Sequence, residues 1–183
     1  MEITSFDELK YFTNLISNPI DNTVGLYYGT FMGCTNLKNI TLMPNITQLD
    51  GSIFSNCSSL ESIILPDTIK EIRSAIFYNC TSLKAANIPL GLTITELPSD
   101  LFRDCISLTS LMEIPAIITS IGMRAFMNCS SLTGIKMLGS TPPSLGYAVF
   151  QGTTCPIYVP SEAVNAYKSA SGWTSLASRI VGY

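Results

Sequence analysis

The chain has 183 residues, 46% of them apolar and 13% charged, with 13 acidic side chains against 10 basic ones and a formal charge of −3. That is material for one domain with a buried core and a weakly charged surface, not for a disordered chain. There is no basic block, no apolar run of 18 residues and no histidine, which argues against nucleic acid, a membrane span, imidazole metal sites and Ser-His or Cys-His nucleophiles.

Residues 1–30 read as an N-terminal cap. Met1 to Glu8 is acidic and lacks the basic and apolar regions of a signal peptide, so the expectation is a cytoplasmic chain or one that has shed its leader. Phe6, Leu9, Phe12, Leu15 and Ile16 recur at near-helical spacing. Ser5 with Glu8 fits a capping box, and Asn18-Pro19 ends the predicted helix.

From residue 31 the chain repeats itself. Phe31-Met32-Gly33-Cys34 is followed by Phe54-Ser55-Asn56-Cys57, Phe77-Tyr78-Asn79-Cys80, Phe102-Arg103-Asp104-Cys105 and Phe126-Met127-Asn128-Cys129, at steps of 23, 23, 25 and 24 residues. A period in this range is the signature of a solenoid. Each unit has three predicted parts. The first is an extended run after a leucine, clearest in Leu60-Glu61-Ser62-Ile63-Ile64-Leu65-Pro66, with counterparts at Leu37–Met43, Leu83–Pro89, Leu108–Pro115 and Leu132–Leu138. One such strand per rung would stack into a parallel sheet. The second is an apolar pair three apart: Ile46 and Leu49, Ile69 and Ile72, Ile94 and Leu97, Ile118 and Ile121. The third is a short helical turn ending in Phe-x-x-Cys, with Phe and Cys facing the core.

The residue before each cysteine is Gly33, Asn56, Asn79, Asp104 or Asn128, types that tolerate the left-handed backbone of a tight corner. Five Asn-x-Ser/Thr sequons, at Asn39, Asn45, Asn56, Asn79 and Asn128, are read as turn chemistry and not as glycosylation. Five of the six cysteines hold one repeat position. Stacked side chains run alongside one another, so buried free thiols are expected, with neither disulfides nor a metal site. Phe150 keeps the step, but Gln151-Gly152-Thr153-Thr154-Cys155 loses the Phe-x-x-Cys spacing. Ile157-Tyr158-Val159-Pro160 restores the strand. Residues 161–183 are a C-terminal cap, with Ser161 as helix N-cap, Val164, Tyr167 and Lys168 in the helix, and Trp173 sealing the core.

The unit Leu-x-x-Ile-x-Leu-Pro, an Ile-x-x-Ile turn, then Phe-x-x-Cys-x-x-Leu resembles the BspA-like leucine-rich repeats over residues 31–160. The ending Cys155-Pro156-Ile157-Tyr158-Val159-Pro160 with Tyr167-Lys168 and Gly172-Trp173 is similar to the tail of bacterial members. The fold expected is α/β: a single-domain, right-handed leucine-rich-repeat solenoid with one short parallel strand per rung and helical caps at both ends. The resemblance implies a non-enzymatic protein, extracellular or at a bacterial surface, that engages host proteins or other cells.

Solenoids bind on such sheet faces. The candidate strip is the outward strand position: Thr41, Ile64, Asn87, Met112, Lys136 and Tyr158. A protein or glycan partner, a monomer and no cofactor are expected. Two other classes compete with this reading. An enzyme would need a carboxylate pair, but Glu61, Glu71, Glu96, Asp100, Asp104 and Glu113 are read as dissimilar repeat positions. The remaining alternative is an assembly module or a segment of a larger surface protein, without a ligand of its own.

Overall fold

The computed structural model describes residues 5–6 and 25–183. Most of the helix expected in the first thirty residues, including its end at Asn18-Pro19, lies outside the described residues. Ser5–Phe6 is a strand paired in parallel with Asn39–Ile40, so no helix starts at Ser5.

The chain is a parallel-strand solenoid in which most rungs contribute to two ladders, where one strand per rung was expected. The first ladder runs through Ser5–Phe6 and Asn39–Ile40, continues as single bridges at Ser62 and Ala85, and broadens into a sheet of Leu111–Ile114, Gly134–Met137, Ile157–Val159 and Ile180–Gly182. The second uses the Ile-x-x-Ile segment. Gly25–Leu26, Gln48–Leu49 and Glu71–Ile72 form one sheet, and Glu96–Leu97, Ser120–Ile121 and Ser144–Leu145 another. These strands are two residues long, too short to show alternation in the sequence.

The Phe-x-x-Cys segment is not a helical turn. It is a chain of tight turns, in which the Cys57 N–H donates to the Phe54 carbonyl and the Leu60 N–H to the Cys57 carbonyl. Two left-handed residues flank each phenylalanine and prevent helical continuation. The corner residues Gly33, Asn56, Asn79, Asp104 and Asn128 have φ of +72, +62, +58, +63 and +60°. Two positions before each phenylalanine, Ser52, Ala75, Asp100, Arg124 and Ala148 are also left-handed, with φ of +58, +60, +56, +55 and +55°. Alanine and arginine carry no preference for that conformation, so this second set leaves no mark in composition.

The turns stack tightly. Phe54, Phe77 and Asn79 donate N–H bonds to Ile76, Leu101 and Arg103 of the following rung at 3.0, 3.0 and 2.8 Å. Six phenylalanine rings, Phe31 to Phe150, stack with centroids 5.2–5.9 Å apart. The Cys57, Cys80, Cys105 and Cys129 thiols donate backwards to the carbonyls of Phe31, Phe54, Phe77 and Phe102 at 3.0–3.1 Å. In the next rung the Thr153 hydroxyl donates to the Phe126 carbonyl, so threonine takes the cysteine's place and the column continues past the last Phe-x-x-Cys.

Past Val159 comes a 3-10 turn, Ser161–Ala163, and a six-residue helix, Val164–Ser169. Ser161 does not cap that helix; its hydroxyl donates to the Tyr183 carbonyl at 2.8 Å. Trp173 is fully buried, tilted against Phe150 at 6.1 Å and edge-on to Tyr167 at 5.0 Å. Its indole N–H donates to the Pro143 carbonyl, and the Tyr167 hydroxyl to that of Gly139. The polar carbonyls around the Pro142-Pro143 interruption thereby gain buried donors.

Candidate binding face

The six strip residues meet different fates. Thr41 and Ile64 face solvent, with Ile64 69% exposed. The Asn87 amide is spent on the backbone of the preceding rung: the Leu65 N–H donates to Asn87 Oδ1 at 2.7 Å, and Asn87 Nδ2 donates to the Leu65 carbonyl at 2.9 Å. Met112 is fully buried, against expectation. The segment Leu108–Pro115 carries one extra residue, and a one-residue slip turns side chains to the other face. Leu111, 47% exposed, and the partly exposed Glu113 are the outward residues instead.

Glu113, Lys136, Tyr158 and Val181 follow one another in register across the four-stranded sheet. Lys136 Nζ is 3.0 Å from Glu113 Oε1 and lies over the Tyr183 ring at 4.9 Å. A Cβ on Gly134 would come within 3 Å of both the Tyr158 ring and Leu111. The glycine therefore lets Leu111 and Tyr158 close over it. With Val181 and Tyr183, 44% and 51% exposed, they make an apolar and aromatic patch around one ion pair. The spacing of the repeat does not mark Leu111 and Tyr183 as outward, because the extra residue in one rung and the return of residues 180–183 to the sheet are both non-local.

Further along the same side, Lys84 Nζ reaches Glu61 Oε2 at 2.9 Å. That hydrogen bond, and then the lysine's charge, hold the Glu61 carboxyl below its usual range. The acids are more ordered than expected. Glu71 and Glu96 begin equivalent two-residue strands with the same outward orientation, while Asp100 is held by Arg124 at 2.9 Å and Asp104 by Arg103 at 3.2 Å. All six cysteines are free, and five are buried. Burial pushes the Cys57 and Cys129 thiols up to about 12 and raises those of Cys80 and Cys105, so they are protonated hydrogen-bond donors, not thiolate nucleophiles. Among the described residues no group of three acidic or cysteine side chains is placed to hold a metal ion, and no helix is long and apolar enough to cross a membrane.

The family model for the BspA type leucine rich repeat region matches in six copies, over residues 4–133 and 95–170. The chain belongs to this family. No curated protein matches it. Among solved structures, a T. pallidum leucine rich repeat protein superposes with a TM-score of 0.59 at 23% identity, over 72% of this chain and 71% of that one. A leucine rich cell surface protein from Faecalibacterium prausnitzii A2-165 gives 0.59 at 24% identity, over 85% of this chain and 42% of that longer one. Identities this low establish a shared solenoid fold.

Proposed function

We propose that this BspA-type chain is a non-enzymatic binding scaffold that engages a protein partner through the outward face of its first ladder, outside the cell or at a bacterial surface. The observation that carries this reading is the contrast on that face. Behind the sheet the inward side chains from Ile40 and Ile63 to Ile157, Val159 and Ile180 are apolar and buried, while Ile64, Leu111, Val181 and Tyr183 are large side chains left open to water. Exposed apolar groups ringed by polar ones mark interaction surfaces, and aromatic residues are the usual anchors of such interfaces. The surface location follows the F. prausnitzii relative, described as a cell surface protein.

The test is binding of the purified chain to a panel of extracellular-matrix proteins, beside an Ile64→Glu, Val181→Glu variant. Both sites are exposed, whereas Tyr158 closes over Gly134 and is a poorer choice. Binding lost in a variant that melts like the parent supports the reading; undiminished binding removes the face from it. The open edge at Ile180–Gly182 favours assembly as the second reading. A native mass that rises with concentration, without any matrix ligand, would support it.

A further inference from the structure

The second ladder is interrupted once, and the cause lies in two residues and a proline. The Lys70 N–H donates to the Thr47 carbonyl at 2.8 Å, and the Thr93 N–H to that of Lys70 at 2.9 Å. In the next rung it is the Thr95 carbonyl that accepts, from the Thr119 N–H at 2.7 Å. Thr93 and Thr95 thus both hold one repeat position, and Ile94-Thr95 is the surplus that lengthens this rung. Leu92, not Ile94 as the apolar spacing suggested, fills the core. In the other rungs the residue after the strand donates to the previous rung: Asp50 to Leu26, Arg73 to Leu49, Gly122 to Leu97 and Gly146 to Ile121, at 2.7–3.0 Å. Pro98 stands at this place and has no N–H to give. The Ile72 carbonyl loses the donor that its equivalents have, and the ladder divides there into two sheets.

At the break the surface opens into a depression of about 890 Å³. Its floor carries Gly51, Ser74 and Ser99, one position of three successive rungs. The same position one rung earlier is Tyr28, 68% exposed, and at the far end the surplus Ile94-Thr95 stands with Glu96. A Cβ at Gly51 would lie 3.3 Å from the Tyr28 ring, so the glycine admits that ring beside the floor. Three rung steps span ~14 Å. Along the side, Asp50 and Arg73 form an open ion pair at 3.5 Å, and Ile72 lies between them and the break.

We propose that this interruption is a saccharide-binding site for a short neutral oligosaccharide, separate from the protein-binding face. A pyranose presents one C–H face and a rim of hydroxyls that donate and accept. The exposed Tyr28 ring suits the face, and the rim would meet the Asp50–Arg73 pair, the Ser74 and Ser99 hydroxyls and the Ile72 carbonyl, which lacks the rung-to-rung donor of its equivalents. The charges lining the depression are few and of both signs, Asp50 and Glu96 against Arg73, which favours an uncharged ligand. An extended peptide suits the site less well. Strand addition needs a continuous run of free backbone groups, whereas Pro98 removes one donor and the rungs on either side are paired.

The experiment is titration of the full ¹⁵N-labelled chain with maltotetraose, cellotetraose and chitotetraose, following backbone amides. The expected result is weak, saturable binding of at least one sugar, with shifts centred on Arg73–Ala75 and Thr93–Ser99. Tyr28→Ala, which removes the platform, and Ser74→Tyr, which fills the floor, should each weaken it about tenfold or more while melting like the parent. No saturable shift with any of the three sugars would overturn the proposal. So would shifts centred on Leu111–Tyr158, binding unchanged in Tyr28→Ala, or a peptide library that moves these amides where sugars do not.

Discussion

The turn side and the strand side of this solenoid are built to different tolerances. On the turn side every rung is joined to the next by backbone N–H bonds, ring stacking and, from Cys57 to Thr153, a side-chain bond back to a phenylalanine carbonyl. It accepts a change of residue only where the chemistry survives, as when threonine replaces cysteine. On the strand side the first ladder thins to single bridges at Ser62 and Ala85, and the second breaks between Ile72 and Leu97. The turns maintain the rise from rung to rung, which frees the strand side to vary in length, register and exposed chemistry. Both proposed sites lie on the tolerant side.

The largest test of that division is Phe77→Ala. Phe77 is fully buried, with ring centroids at 5.7 and 5.2 Å to Phe54 and Phe102, and truncation in such a setting costs about 3–5 kcal/mol. Because each rung touches only its neighbours, the loss should split the urea transition into two steps. A single, unshifted transition would show that the ring stack does not hold the rungs together.

Next in size is Asn79→Ala. Asn79 has φ +58°, and its Nδ2 donates to Asn56 Oδ1 at 2.9 Å. Alanine keeps the left-handed strain of ~1–2 kcal/mol and loses the bond, worth ~0.5–1.5 kcal/mol. Asn79→Gly loses the bond alone and should fall between alanine and the parent in denaturant midpoint.

High pH gives a third test of the turn column. Cys57 and Cys129 have folded values near 12 and Tyr167 is likewise pushed up to about 12, in each case mainly by burial, against ordinary values of 9 and 10. A raised value favours the protonated form in the fold. The stabilisation is complete below the unfolded value and is lost as pH climbs from about 9 through 12. Urea midpoints should therefore hold steady up to the ordinary thiol range and then fall. In a Cys57→Ser variant the fall should begin at the same pH but be shallower, because one of the buried thiols no longer contributes.

Much of this contrast was legible in the chain. The Phe-x-x-Cys column and its left-handed corner residues are local features repeated five times, so composition and spacing expose them. The second left-handed position was not legible, because Ala75 and Arg124 adopt it under the tertiary bonds their rung makes, against their own preference. Met112 was misplaced because the register of a short strand depends on one extra residue that periodicity cannot locate. The ladder break needed two facts at once, the surplus Ile94-Thr95 and the missing donor at Pro98, and neither means anything until the rungs are paired. The stacked rungs and the Phe-x-x-Cys column were therefore readable from repetition, the second ladder and the turn geometry were not, and the candidate sites were hidden in departures from the repeat.

The smallest effect expected is that of Lys84→Ala, which sharpens the comparison from the strand side. Lys84 and Glu61 are joined at 2.9 Å, but their side chains are 62% and 47% exposed, and exposed pairs are largely offset by solvation, side-chain entropy and salt. The lysine holds the Glu61 carboxyl below its usual range. The pair's contribution is thus present above the ordinary carboxylate range and is lost as pH falls through the folded value. Removing the lysine should leave the neutral-pH denaturation midpoint almost unmoved, and added salt should erase what difference remains. A large, salt-resistant loss would mean that the strand face carries structural weight after all. It would also weaken the argument that the face is free to vary for recognition.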